Sequence, residues 1–349
     1  MTARLLLLLA ASLLPAALAA QTAPVWQMQN SGSTASLRGI VAVDDSIAWA
    51  SGTEGTVLRT LDGGQHWTRC ATPDAAKDGA SLDFRGVQAW DEKTAIAMAS
   101  GPGDKSRLYK TTDGCASWTL VFANPDKDGF WDAVSIADRK NISIFGDPVD
   151  GKFVIFDTAD GGIHWKKEQD AGLQSNESEG AFAASNSSLL ALWGDGVSAF
   201  GAGSPSGTRI FLECDPCNTK AMWHSLTLSE FPKGKAAGIF SIHARDGRRW
   251  IAVGGDYIKP NEAAGTAAYT SDGGLHWTAS AKNPHGYRSS VQWWEQEKLW
   301  ITVGTNGSDL SRDDGRNWQR LDDGNWNALG LPFVVGPHGR IARLVEAGK

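Results

Sequence analysis

A short phrase recurs five times along the chain, and it constrains the fold more than any other feature. It reads "TLDGGQHW" from residue 60 and returns as "TTDGCASW" at 111, "TADGGIHW" at 158, "TSDGGLHW" at 270 and "SRDDGRNW" at 311. The third and fourth copies are about twice as far apart as the others, so one copy between them is degenerate. Such a period is typical of proteins built from one repeated supersecondary unit.

Each repeat has the same internal order. The first reads "LRGIVAVDD", "SIAWASG", "GTVLRTLDGGQHW" and then "TRC". Short alternating or apolar runs separated by Gly and Asp predict four antiparallel strands, a to d. The degenerate fourth repeat ends in "IFLECDPCNTKAMWHSL", where Trp223 keeps the position of the recurring tryptophan. The later repeats begin at "FRGVQAW", "WDAVSIAD", "EGAFAAS", "AAGIFSI", "YRSSVQW" and "WNALGL".

The two ends of the chain complement each other. The seventh repeat continues as "PFVVGPHGRIARLV" and stops before its fourth strand, whereas "PVWQMQNS" at residues 24–31 precedes the first repeat. Pairing this N-terminal strand with the last repeat would close a ring and leave no exposed sheet edge. We therefore predict an all-β fold in which residues 21–349 form one seven-bladed β-propeller, closed by the N-terminal strand.

The recurring phrase is best explained as a structural turn between strands c and d. Its two glycines permit positive φ angles, and its aspartate can accept backbone N–H groups within the turn. The tryptophan can then pack between neighbouring blades. We expect this structural role, and a position on the face opposite any binding site, for Asp62, Asp113, Asp160, Asp272 and Asp313.

The phrase T-x-D-G-G-x-x-W resembles the Asp-box, or bacterial neuraminidase repeat. The fuller pattern "LRGIVAVDDSIAWASGTEGTVLRTLDGGQHW" resembles the photosystem II stability/assembly factor family, whose members are exported seven-bladed propellers. The resemblance covers all seven repeats, although the fourth and seventh are degenerate. It implies a noncatalytic scaffold that binds a partner.

In a propeller the d–a and b–c loops meet around one mouth of the central channel, opposite the c–d turns, and ligands commonly bind there. Polar residues at the starts of strands a and the ends of strands b therefore form the candidate binding site. Arginines there suit a ligand carboxylate or an acidic side chain of a partner. The candidates are Arg38, Arg85, Asp132, Asp147, Glu179, Asp256, Tyr257, Tyr287 and Arg288.

These residues are also compatible with two different roles. The charged side chains can be solvated or paired with one another. Alternatively, the protein is a sialidase-like glycoside hydrolase, which needs an arginine cluster, a Tyr–Glu pair and an acid/base aspartate. Glu179, Tyr257 and Asp132 would then be catalytic. The Arg-Ile-Pro signature of sialidases is absent near the first blade, which reads "LRGIVA", and this favours the binding function.

Residues 1–20, "MTARLLLLLAASLLPAALAA", have the charged start, leucine-rich run and small-residue end of a signal peptide. We therefore expect an exported protein, periplasmic or secreted, with no membrane span after cleavage. Export favours disulfides over free thiols. We predict a local disulfide between Cys214 and Cys217 in the degenerate turn, and leave open whether Cys70 pairs with Cys115.

The acidic composition of the chain restricts the class of partner that it can bind. A net charge of −6 and a pI of about 5.7 argue against nucleic acid. The three histidines that precede motif tryptophans lie on different blades, so we expect no metal site, and no cofactor motif is present. The expected protein is a monomer whose partner is an unidentified protein or a small acidic ligand.

Overall fold

The computed structural model describes residues 23–192, 197–214 and 222–346, without the side chain of Cys214. This part of the chain forms seven antiparallel sheets of four strands each. The predicted signal peptide and Cys217 lie outside the described residues. The predicted all-β, seven-bladed propeller is confirmed.

Each blade is one sheet whose strands follow one another from the channel outward. The first three contain β2 (Leu37–Ala42), β3 (Ala48–Gly52), β4 (Thr56–Thr60) and β5 (Thr68–Arg69); β6 (Phe84–Ala89), β7 (Ala95–Ala99), β8 (Arg107–Thr111) and β9 (Thr119–Ala123); and β10 (Trp131–Ile136), β11 (Ile142–Val149), β12 (Lys152–Thr158) and β13 (Lys166–Lys167). Short 3-10 turns lie between strands at Gly79–Ser81, Gly103–Lys105 and Ala171–Leu173.

The remaining blades follow the same order. They contain β14 (Leu189–Leu192), β15 (Val197–Ser204), β16 (Gly207–Cys214) and β17 (Trp223–Thr227); β18 (Ala237–Ala244), β19 (Trp250–Asp256), β20 (Ala267–Thr270) and β21 (Thr278–Ala279); and β22 (Ser290–Trp294), β23 (Leu299–Gly304), β24 (Gly307–Ser311) and β25 (Gln319–Asp322). Blade seven combines β26 (Ala328–Gly330), β27 (Phe333–Val335) and β28 (Ile341–Val345) with β1 (Val25–Gln29).

The N-terminal strand closes the ring as predicted. β1 runs antiparallel to β28, with Val25 opposite Val345 and Gln29 opposite Ile341. Its Trp26 ring packs 5.9 Å from the ring of Trp326. Both ends of the chain are therefore held in one blade, and the edge of β28 is covered.

The hydrophobic core lies between the blades rather than in one central mass. Between blades three and four, the rings of Phe145 and Phe200 are 4.2 Å apart, and those of Phe153 and Phe211 are 5.0 Å apart. All four side chains are buried. Because every blade packs on two neighbours, the circle of interfaces holds the loops around the channel in fixed relative positions.

The recurring phrase forms the turn between strands c and d. In blade one, Thr60 donates a hydrogen bond to Oδ1 of Asp62 at 2.9 Å, and that oxygen accepts the backbone N–H of His66, also at 2.9 Å. Gly64 has a φ of 87° and donates its N–H to the Thr60 hydroxyl. Equivalent bonds within the turn are made by Asp113, Asp160, Asp272 and Asp313.

The motif tryptophans join adjacent blades. Trp67 of blade one packs edge-on against Phe333 of blade seven at 5.7 Å, and Trp165 of blade three stacks on Phe122 of blade two at 4.6 Å. Two turns depart from the glycine pattern, because Cys115 and Asp314 occupy glycine positions and adopt φ angles of 67° and 54°. Each turn therefore supports both its own hairpin and a neighbouring blade.

Strand register separates the two faces of the propeller. In blade one, Leu37 at the start of β2 lies opposite Gly52, whereas Ala48 at the other end of β3 lies opposite Thr60, where the c–d turn begins. The c–d turns thus lie at one edge of the blades, here called the turn face. The starts of strands a and the b–c loops lie at the other edge, here called the mouth face.

The start of blade four differs from the prediction. The innermost strand was expected at "EGAFAAS", residues 179–185, but β14 begins at Leu189. Asn186 has a φ of 62°, which interrupts an extended strand, and its side-chain amide bonds both the N–H and the C=O of Val134 in blade three, at 2.8 and 3.0 Å. The asparagine side chain thus replaces a strand peptide group, and the preceding residues stay on the mouth face.

A disulfide joins the first two blades. Cys70 follows β5 of blade one and bonds Cys115 in the c–d turn of blade two, with a Cα–Cα distance of 5.3 Å. This settles the pairing that the sequence left open. The predicted bond between Cys214 and Cys217 involves a residue outside the described part of the chain and stays a prediction.

Candidate functional site

A cavity of about 470 Å³ opens at the mouth face, over the channel. Every blade contributes to its wall, since the lining residues lie at strand starts and loops throughout the ring. This is the size range of pockets that bind small ligands or a few side chains. The lining residues are Arg38, Arg85, Phe130, Asp132, Asp147, Ala181, Phe182, Ala183, Ala184, Phe240, Tyr257, Tyr287, Ser289, Thr305 and Asn327.

The structure brings six of the nine candidate binding residues together around this cavity. They are Arg38, Arg85, Asp132, Asp147, Tyr257 and Tyr287. The other three, Glu179, Asp256 and Arg288, do not line it, and each makes contacts elsewhere on the mouth face. The six come from blades one, two, three, five and six, and they meet because strand-a starts and strand-b ends all lie on the mouth face.

Two arginines from adjacent blades supply positive charge. Arg85 is held by Asp83, which accepts a hydrogen bond from Nε at 2.7 Å, and its guanidinium lies 5.8 Å from the centre of the Phe130 ring. Arg38 is half-buried, and within the described part of the chain its buried Nε has no acceptor. Burial lowers the pKa of Arg38, and the nearby charge of Arg85 lowers it further. The pair therefore favours an anionic ligand.

Two carboxyl groups lie beside the arginines. Asp132 is 1% exposed, and its Oδ2 has no hydrogen-bond partner among the described residues. Burial raises its pKa well above the usual range, and Asp147 raises it further. Burial also raises the pKa of Asp147, although the N–H of Ala181, 2.8 Å from its Oδ1, opposes that rise. The charge of the cavity therefore depends on the protonation of this pair.

Arg288 is used inside blade six instead of in the cavity. Its side chain is fully buried, and Nε donates to Oδ2 of Asp309 on β24 at 2.8 Å. Its Nη1 also bonds the side-chain oxygen of Asn306 at 2.6 Å. A buried guanidinium needs such partners, because an unpaired charge in the interior is costly. Arg288 therefore has no free donor face directed at a ligand in the mouth.

Glu179 and Asp256 are likewise engaged by the protein. The buried Glu179 carboxylate forms an ion pair with Arg209 of β16, in which Nε donates to Oε1 at 2.8 Å. Asp256, at the end of β19, accepts the N–H of Ile258 at 3.0 Å and shapes the loop that follows. Both residues stabilise segments that form the rim of the cavity.

These positions bear on the hydrolase alternative. A sialidase-like site would need three arginines converging opposite a hydrogen-bonded Tyr–Glu pair. Here Glu179 is bound to Arg209, and Arg288 to Asp309. Tyr257 and Asp132 remain at the cavity, without the glutamate that would activate the tyrosine. The described residues thus do not form the arginine cluster and Tyr–Glu pair that a sialidase-like site needs.

Aromatic side chains form a large part of the wall, and its phenylalanines, unlike Tyr257 and Tyr287, were not among the residues predicted from the sequence. Phe182 stacks on Phe240 with ring centres 3.8 Å apart, and Tyr287 packs edge-on against Phe240 at 4.8 Å. Phe130 and Phe240 are visible in the sequence as aromatics at the start of a blade, in "GFWD" and "GIFSI". Their repeated position near the channel was the available signal.

Hydroxyl groups connect the blades below the cavity. Ser185 donates to the C=O of Ser289 at 2.6 Å, and Ser187 donates to Oγ of Ser241 at 2.8 Å. Ser289 in turn bonds the C=O of Asn327 at 2.7 Å. These contacts link blades four to seven across the channel and fix the floor of the cavity.

No family model matches the chain. The photosystem II assembly lipoprotein Ycf48 of Synechococcus sp. (strain CC9902) is 22% identical to it over 318 residues, which cover 86% of this chain and 83% of that protein. The chain is a photosystem II assembly factor-like propeller. The predicted resemblance is thus confirmed at the level of the whole propeller.

Two solved structures share the architecture of this assembly factor-like propeller. YCF48 bound to D1 peptide has a TM-score of 0.63 at 17% identity, covering 93% of this chain and 99% of that one. YCF48 from Cyanidioschyzon merolae has a TM-score of 0.64 at 18% identity, covering 91% and 98%. At these identities the structures show a common fold. Within the described residues, no helix is long and apolar enough to span a membrane.

Proposed function

We propose that this protein is a noncatalytic binding propeller that holds an acidic segment of a protein partner at its channel mouth. The observation that carries the proposal is the cavity to which all seven blades contribute, with Arg38 and Arg85 side by side in its wall. Support comes from YCF48, a propeller of the same fold, whose solved structure has a D1 peptide bound.

The arginines have donors available for a ligand. Arg85 uses Nε for Asp83, and its Nη1 makes only a long bond of 3.3 Å to the C=O of Ala183. Arg38 has a buried Nε without an acceptor in the described part of the chain. A buried donor that lacks a partner is unfavourable, so a carboxylate that satisfies these groups would gain free energy on binding.

Export of the protein is part of the proposal. Residues 1–20 have the composition of a signal peptide. The disulfide between Cys70 and Cys115 supports an oxidising compartment, because such bonds are rare in the reducing cytosol. We expect the mature chain to meet its partner outside the cytoplasm.

The test is binding of a labelled acidic peptide to the wild type and to a double variant, Arg38→Ala with Arg85→Ala. Loss of one charge-assisted contact costs about 1.5–3 kcal/mol, so the double variant should bind roughly a hundredfold more weakly or worse. The matched control is Arg139→Ala with Arg316→Ala, which removes the same charge from exposed turns on the turn face. If both double variants lose the same affinity for the peptide, the loss is due to net charge alone, and binding through Arg38 and Arg85 is refuted.

A further inference from the structure

The cavity has two chemically different halves. Blades one to three contribute the arginines and carboxyl groups already described. Blades four to six contribute a continuous aromatic surface, here called the aromatic half, which consists of Phe182, Phe240, Tyr257 and Tyr287. Binding of an anion by the arginines does not require an apolar wall, so the aromatic half needs an explanation of its own.

The four rings of the aromatic half form a concave surface. Phe240 is at its centre: Phe182 stacks on it with an interplanar angle of 20°, and Tyr257 and Tyr287 meet it edge-on at 80° and 87°. Phe240 and Tyr287 are buried and form the base, whereas Tyr257 is 51% exposed at the rim. Such a surface is shaped to cover an apolar group that enters from solvent.

The rim of this half exposes apolar side chains in an extended loop. Tyr257 and Ile258, 69% exposed, begin the b–c loop of blade five, which runs from residue 257 to 266. In blade six only residues 305–306 separate the equivalent strands. Exposed apolar groups beside a concave apolar wall are typical of an interaction site and costly otherwise.

We propose that the aromatic half binds an apolar side chain, so that the ligand is a peptide segment in which an aromatic or branched aliphatic residue adjoins a carboxylate. This inference rests on the proposed function, since it names the class of peptide that the arginine site would accept. A cationic group over the rings is less favourable, because the positive charge of Arg38 acts on Tyr287 and would repel it.

The carboxylate can come from an Asp or Glu side chain or from the end of a polypeptide. Both present two oxygens to a guanidinium and have the same chemistry. A cavity of about 470 Å³ has room for the anion and one neighbouring side chain. The two sources differ only in whether the chain continues beyond the anion.

Fluorescence anisotropy with four labelled peptides tests the inference. Two are amidated, with the sequences Gly-Ser-Gly-Phe-Glu-Gly-Ser and Gly-Ser-Gly-Ser-Glu-Gly-Ser. The other two, Gly-Ser-Gly-Ser-Gly-Phe and Gly-Ser-Gly-Ser-Gly-Ser, end in a free carboxylate. We expect Phe to strengthen binding about tenfold over Ser in at least one series, as burial of an aromatic ring should. The series in which it does so identifies the source of the carboxylate.

Variants assign this advantage to the aromatic half. Tyr257→Ala should reduce the preference for Phe to roughly threefold or less, whereas Tyr257→Phe should retain it, because ring contact does not need the hydroxyl. Ile163→Ala is the control, since Ile163 is 75% exposed in a turn on the turn face. A Tyr257→Phe variant that loses the preference would contradict an apolar contact.

The outcomes separate this inference from the proposed function. Phe and Ser peptides that bind equally well, and that both require Arg38 and Arg85, would refute the aromatic subsite and leave the arginine site standing. If none of the acidic peptides binds the wild type, both proposals are wrong.

Discussion

Trp26 donates a hydrogen bond from its indole nitrogen to Oγ of Ser308, 3.0 Å away in blade six. The two residues are 282 positions apart in the chain, and Trp26 itself belongs to the strand that completes blade seven. The N-terminal strand thus contacts blade six while completing blade seven, and ring closure depends on it.

Removal of residues 21–30 should sharply lower the melting temperature, because β28 would lose its partner strand and the ring would open. Trp26→Phe is the milder comparison: it keeps an aromatic ring beside Trp326 but loses one hydrogen bond, which contributes about 1 kcal/mol. Thermal unfolding followed by circular dichroism measures both. A truncated chain that unfolds at the wild-type temperature would contradict closure by β1.

Replacing both disulfide cysteines, Cys70→Ser with Cys115→Ser, should lower the free energy of unfolding by about 2–4 kcal/mol. The bond joins blades one and two across 45 residues and therefore restricts the unfolded chain. When both are measured in reductant, denaturant unfolding of the variant should match that of the wild type. Identical midpoints for the oxidised wild type and the variant would show that the bond contributes nothing.

Acid should weaken the c–d turns. The backbone N–H of His66 lowers the pKa of Asp62 to about 2, and the Ser117 hydroxyl does the same for Asp113. A carboxyl with a lowered folded pKa contributes stability above its unfolded pKa of about 3.9, and this is lost as the pH falls towards about 2. In Asp62→Asn with Asp113→Asn, the melting temperature should change less over that range than in the wild type. If the melting temperatures of the variant and the wild type change equally with pH, the carboxylates of these turns do not cause the loss of stability in acid.

Binding of an acidic peptide should weaken as the pH rises. Burial raises the pKa of both Asp132 and Asp147, so at low pH they are neutral and the charge of Arg38 and Arg85 dominates the cavity. As the pH rises through the folded pKa values, the carboxyl groups become negative and repel the ligand. Asp132→Asn should flatten the affinity profile at pH values above the ordinary aspartate pKa of about 3.9. An unchanged profile would exclude Asp132 as the titrating group.

Much of the architecture was predictable because it depends on local repetition. The repeated four-strand pattern around the recurring turn indicated seven blades, and the unpaired strand at 24–31 indicated how the ring closes. Only the start of the first strand of blade four was wrong: a single residue before it, Asn186, leaves the extended conformation and bonds Val134 of another blade. No local pattern in the sequence indicates that contact.

The candidate site was only partly predictable for a related reason. Position within the blade correctly places Arg38 and Arg85 at the mouth, but it does not say which charged side chains the protein itself pairs. The partner of Arg288 is Asp309, 21 residues later, and that of Glu179 is Arg209, 30 residues later. The two tyrosines of the aromatic half were predicted, but Phe182 and Phe240 were not, because phenylalanines in apolar segments look like ordinary core residues.

The central claim is that the partner binds at the mouth face, and site-specific photocrosslinking in the native host tests it most directly. A benzophenone amino acid at Thr305, exposed in the cavity wall, should form a discrete adduct with one protein partner. The same group at Ile163 on the turn face should not, and Arg38→Ala with Arg85→Ala should abolish the adduct from Thr305. An adduct that forms equally from Ile163, or that survives the double arginine substitution, would contradict binding through the channel mouth.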